Sequence, residues 1–211
     1  MKLPKQDNYE TAFKLAKEQL LTADLNERCR KSGAVLDESG NIAITYFGEP
    51  VSISMPEVTL TYENHKEVHF REQILILHYI NKSAGTALAG EWISFKDVPS
   101  GEFYYGPFKS RSIDRLAKAF GRQPEKLIEA GKLLGGAVAP YGDYAVTLKA
   151  LPKAPVLLTV WEGDEEFAST ANILFDRGVN EYLVTEDITV LSEVAVTRLI
   201  RIQRSFNKEE S

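Results

Sequence analysis

The chain has 211 residues, with 25 Lys and Arg against 30 Asp and Glu. At 44% hydrophobic and 26% charged residues it has room for a sizeable core and does not resemble a disordered chain. A net charge of −5 argues against a general nucleic-acid binder.

Cys29 is the single cysteine, so no intrachain disulfide forms, and there is no Cys-rich metal or iron–sulfur motif. This fits a cytoplasmic location. Residues 1–7 have no apolar signal-peptide core, and the apolar stretches 74–80 and 133–141 are too short to span a bilayer. Neither a membrane nor a nucleic-acid partner is therefore expected.

In chain order, residues 8–31 read as a helix, with Phe13, Ala16, Leu20 and Leu21 on one side and Gly33 as its stop. Residues 41–47, 51–55 and 58–62 are short and β-branched or aromatic, and read as strands. The turns fall at Ser39-Gly40-Asn41 and Gly48-Glu49-Pro50. A nearly all-apolar helix over 69–81 is expected at the centre of the core. Strands are expected at 91–95 and 102–105, split by Pro99-Ser100-Gly101. Ser112 is the expected cap of a helix ending at Gly121, and Pro124 opens another. Strands return at 144–148, 156–161 and 172–175, with Trp161 expected in the core beside Phe167. Thr185 is the expected N-cap of a last helix that carries Arg198, Arg201 and Arg204 at its far end.

The halves of the chain resemble each other. Gly33-Ala34-Val35 matches Gly136-Ala137-Val138, and Gly40-Asn41-Ile42-Ala43-Ile44-Thr45 matches Gly142-Asp143-Tyr144-Ala145-Val146-Thr147. Pro50-Val51 matches Pro155-Val156. The expected fold is α+β with mainly antiparallel sheet, built from two similar α-β-β-β-α halves in pseudo-twofold duplication. The halves are 1–82 and 111–211, joined by a connector over 83–110 with short strands, in one globular unit.

The densest chemical feature is Trp161-Glu162-Gly163-Asp164-Glu165-Glu166-Phe167. Converging carboxylates can hold a hard cation, and Asp164, Glu165, Glu166 and Asp176 are the candidate metal ligands. In this reading His65 or His69 is the base of a metal-dependent enzyme. The bland reading is a loop solvated or paired with bases, in which Glu165 or Glu166 turns inward. His65 and His69 are four apart beside Glu67 and Glu72, without an HExxH pattern, and His78 reads as a hydrogen-bonded core histidine. Trp92, Tyr104, Tyr105, Lys109 and Arg111 interleave aromatic and basic groups, a surface suited to an anionic, ring-shaped ligand. Gly131-Lys132-Leu133-Leu134-Gly135-Gly136 lacks the ending of a phosphate-binding loop, and no dinucleotide, serine-hydrolase or kinase motif is present.

Glu91-Trp92-Ile93-Ser94-Phe95, Gly135-Gly136, the Trp161–Phe167 block, Ile173-Leu174-Phe175-Asp176 and Tyr182-Leu183-Val184-Thr185-Glu186-Asp187 together resemble the prokaryotic domain of unknown function 3786 family. Ala168 stands where that family often has proline. The resemblance implies a stand-alone member without the cysteine-rich iron–sulfur module that some relatives carry. It implies a setting in anaerobic corrinoid or iron–sulfur metabolism and no established activity or cofactor. The leading reading is a binding or accessory domain for a small molecule or a redox or corrinoid protein partner. The alternatives are the metal-dependent enzyme and a structural subunit that meets its partner through the arginine stripe.

Overall fold

The computed structural model describes residues 4–163 and 166–209. The first helical stretch divides into α1 (Pro4–Leu21) and α2 (Leu25–Ser32). The break comes at Asp24, which leaves the helical conformation so that its carboxylate accepts the Glu27 N–H at 3.2 Å. Gly33 ends α2 at φ 75°, its N–H bonded to the Cys29 carbonyl, in the left-handed closure that glycine makes without steric cost.

Next comes an antiparallel meander of β1 (Val35–Leu36), β2 (Ile42–Tyr46), β3 (Glu49–Ser54) and β4 (Thr59–Tyr62). In β2, Ile42, Ile44 and Tyr46 are buried while Ala43 and Thr45 are exposed, so one face of the sheet is wet. The β2–β3 turn lies at Phe47-Gly48, both with positive φ, and not at Gly48-Glu49-Pro50. Such a mirror-image turn matches strand twist but disfavours a bulky residue. Phe47 is kept there by its buried ring and by its N–H, which donates to the Ala150 carbonyl at 2.9 Å. Helix α3 (Phe70–Lys82) follows, buried along Ile74–Leu77, Tyr79 and Ile80, with α1 and α2 packed on it.

The connector supplies β5 (Trp92–Ser94), but the expected strand at 102–105 is helical, within α4 (Gly101–Phe108). Two contacts override the aromatic, strand-like composition. The Phe95 and Phe108 rings stack with centroids 3.9 Å apart. A Cβ on Gly101 would lie 1.9 Å from the Phe95 carbonyl oxygen, so only glycine lets the helix start this close. Pro107 interrupts the N–H ladder, and a π-helical turn over Lys109–Ile113 leads straight into α5 (Asp114–Phe120). Ser112 therefore starts no helix; it is buried inside that turn.

After Pro124 come α6 (Glu125–Leu133), β6 (Ala137–Val138), β7 (Tyr144–Leu151), β8 (Ala154–Trp161), β9 (Thr170–Asp176) and α7 (Thr185–Glu209). The second sheet is antiparallel with order β5-β9-β8-β7-β6. Its middle strand β8 is buried at every position from Val156 to Val160, as a strand covered on both faces must be. That burial stops before Trp161, which is 36% exposed, and Phe167 is 69% exposed. The expected Trp161–Phe167 core pair is corrected: the strand end leaves the tryptophan beside Gly142 at the surface. Thr185 is likewise not a side-chain cap. Its hydroxyl donates to the Pro99 carbonyl at 2.6 Å and ties α7 to the connector.

The fold is α+β with two mainly antiparallel sheets. Strands β1 to β4 and β6 to β9 each run in chain order between a preceding and a following helix. One hydrophobic core spans both sheets. Tyr79 helps to join them: its hydroxyl donates to the Ser32 carbonyl at 2.7 Å and accepts the Lys153 N–H at 2.9 Å. Among the described residues no helix is long and apolar enough to cross a membrane.

Candidate functional site

The larger cavity is a groove of about 800 Å³ where the first turn of α3, the β3 and β4 ends of the first sheet, the end of α6 and the length of α7 meet. Arg198, the first of the three arginines near the end of α7, forms part of its wall. Arg198 is turned inward, while Arg201 and Arg204 are exposed. Arg198 donates from Nη1 to Glu49 Oε1 at 3.0 Å, and from Nη2 to Tyr62 Oη at 2.6 Å and Glu72 Oε2 at 3.0 Å. Its guanidinium lies 5.0 Å from the ring centres of both Tyr46 and Phe47 and 5.9 Å from that of Tyr62. Burial works against its charge, but the neighbouring Tyr46, Tyr62 and Glu72 outweigh it and hold the group above the ordinary arginine value.

Burial drives the Tyr46 phenol well up, and the charge of Glu72 pushes the same way, although among the described residues no atom lies in hydrogen-bonding geometry with its buried hydroxyl. Tyr62 is also raised, first by burial, with Arg198 opposing. Both rings are neutral phenols at physiological pH. Across the groove Arg71 donates to Glu193 Oε2 at 3.2 Å, joining α3 to α7 again. Glu67 accepts from Gln73 Nε2 at 2.8 Å. Leu134, Val190, Val194 and Ile202 give the groove an apolar side.

The residues singled out in the sequence lie elsewhere. Trp92 is half-buried on β5 and lines a smaller cavity of about 410 Å³ with Asp97, Pro99, Asn180 and Arg177. Arg177 is held there by both carboxylate oxygens of Glu91, at 2.6 and 2.5 Å. Tyr105 is half-buried under the Lys96 ammonium, which lies 4.5 Å from its ring centre, while Tyr104 is exposed on α4. Lys109 pairs with Asp114, and Arg111 is exposed. None of Tyr104, Tyr105, Lys109 and Arg111 lines either cavity.

Of the metal candidates, Asp164 and Glu165 lie outside the described residues, and Glu166 is exposed. Asp176 is buried and accepts the N–H groups of Ala89 (3.0 Å), Gly90 (2.8 Å) and Gly178 (2.9 Å), so it pins the connector to the second sheet. Among the described residues no three His, Cys, Asp or Glu side chains gather in a metal-holding group. His65 sits in a turn at φ 59°, and His69 precedes α3 and lines the groove. His78 is half-buried with Nδ1 2.9 Å from Asp187 Oδ1.

The sequence places His65, Glu67, His69 and Glu72 close together, and of these Glu67, His69 and Glu72 line the groove. Tyr62 and Lys66 drew no notice. Their signal was only adjacency to that cluster, because a tyrosine and a lysine in a strand and turn have many ordinary uses.

A model of the family described as Domain of unknown function (DUF3786) matches residues 24–198. The chain belongs to the DUF3786 family. The matched span of this DUF3786 protein runs from the cap of α2 to Arg198, and so takes in both sheets and most of the groove. Neither a curated protein nor a solved structure matches the chain.

Proposed function

We propose that this DUF3786 protein is a binding or accessory module that holds a small molecule in the Arg198 groove. The observation that carries this reading is the guanidinium itself. A buried charge is costly unless it is paired, and both Nη atoms of Arg198 are paired with groups from β3, β4 and α3. That network braces the wall of an open groove whose volume falls in the roughly 300–1,000 Å³ range of small-molecule sites. The shared order of β1 to β4 and of β6 to β9, the second sheet adding β5 beside β9, supports descent of both halves from one duplicated unit. The family resemblance suggests anaerobic corrinoid or iron–sulfur metabolism as the setting in which to look for the ligand.

The test is native mass spectrometry of the protein after incubation with a small-molecule extract of an anaerobic cell. A retained mass that is lost in Val194→Trp, which fills the groove from α7, supports the reading. No retained mass, or one that persists in a folded Val194→Trp, refutes it.

A further inference from the structure

We infer that the groove takes a small organic anion, with a carboxylate or phosphate head on an aliphatic body. This rests on the groove being the binding site, and it follows from which of its polar groups are already engaged.

Every carboxylate lining the groove has a partner: Glu49 and Glu72 accept from Arg198, Glu193 from Arg71 and Glu67 from Gln73. The cations divide differently. Arg71 and Arg198 are engaged, but Lys66 and Arg201 line the same groove and form no ion pair among the described residues. Tyr62 adds a third donor. Its oxygen accepts Arg198 Nη2, its burial keeps the phenol protonated, and among the described residues no protein group accepts its own O–H.

Lys66, Arg201 and the Tyr62 hydroxyl are therefore available as donors, two of them cationic. A cationic ligand would meet one carboxylate without a cationic partner, Glu67, whose Oε1 already accepts from the Gln73 amide. An oxyanion would meet an ammonium, a guanidinium and a phenol, the partners that make the stronger charge-assisted bonds. Leu134, Val190, Val194 and Ile202 sit beside these donors, so a bare inorganic ion would leave apolar surface wet that an aliphatic chain would cover.

The experiment is calorimetric titration of the whole protein with octanoate, octyl phosphate, inorganic phosphate, octanol and octylammonium, all below micellar concentrations. At least one octyl anion is expected to bind about tenfold or more tightly than octanol and inorganic phosphate, with no binding of octylammonium. The tighter anion identifies the head group. Lys66→Gln and Arg201→Gln should each weaken that anion by about tenfold while leaving the melting temperature in place.

Octanol or octylammonium binding as tightly as the anions overturns the inference, as does unchanged affinity in both variants or no binding of either anion at millimolar concentration. Any of these leaves the groove reading standing if a captured small molecule is still lost in Val194→Trp. Loss of that control as well would refute the groove.

Discussion

Arg198 on α7 reaches Glu72 in the first turn of α3, Nη2 to Oε2 at 3.0 Å, with the two side chains only 15% and 17% exposed. Removing the cation alone strands a mostly buried carboxylate. Arg198→Met is therefore expected to lower stability by about 3–5 kcal/mol in urea unfolding. The double variant with Glu72→Gln should recover part of that loss, because no unpaired charge then remains between the helices. A loss under about 1 kcal/mol for Arg198→Met would put the pair in the class of solvent-screened surface bridges.

His78 and Asp187 make a further contact between the same helices, and this one titrates. The hydrogen bond to Asp187 raises the His78 pKa above 6.5 against the opposing effect of burial, with the charges of Asp187 and Glu186 adding to the rise. A histidine raised in the folded state binds its proton more tightly there than in the unfolded chain. Its stabilisation is complete below the unfolded value and disappears as pH rises through the folded one. The melting-temperature gap between wild type and His78→Gln should be widest near about pH 5.5 and small by about pH 8.5. A gap that is constant, or that grows with pH, would show that the pair is not the source of the difference.

Tyr79→Phe keeps the ring and removes a hydroxyl that serves two backbone groups from different halves of the chain. The Ser32 carbonyl and the Lys153 N–H then lose a partner each. The expected cost is about 1–3 kcal/mol, read from chemical denaturation. Less than half a kcal/mol, roughly, would mean that water replaces the hydroxyl without loss.

Gly131 lies in α6, where alanine would ordinarily favour the helix by about 1 kcal/mol. Here an added Cβ would sit 2.4 Å from Val146 Cγ2 on β7. Overpacking of this kind costs about 1–3 kcal/mol, so Gly131→Ala should be destabilising on balance, and Val146→Ala in the same chain should relieve part of the clash. Gly106 in α4 has open space in the same position. Gly106 also precedes Pro107, whose ring disfavours a Cβ on the preceding helical residue, so Gly106→Ala should give less than the usual helix-propensity gain. A melting temperature for Gly131→Ala at or above that of the wild type would mean that propensity and not packing governs α6.

Local chemistry was legible in the sequence. The apolar run of β8, the alternation of β2, the glycine that ends α2 and the apolar helix α3 are written in neighbouring residues, because periodicity and turn preferences act over a few positions. The class, α+β with antiparallel sheets, follows from those same short-range patterns. The tertiary structure decided what depends on contacts between distant residues. Stacking of Phe95 on Phe108 made a helix of residues whose composition suggests a strand. Among three arginines at helical spacing, nothing local distinguishes Arg198 from Arg201 and Arg204. Its partners Glu49, Tyr62 and Glu72 are 149, 136 and 126 residues away in the chain. Burial and pairing are properties of the assembled surfaces of α3, β3, β4 and α7, so the groove exists only once those elements have packed.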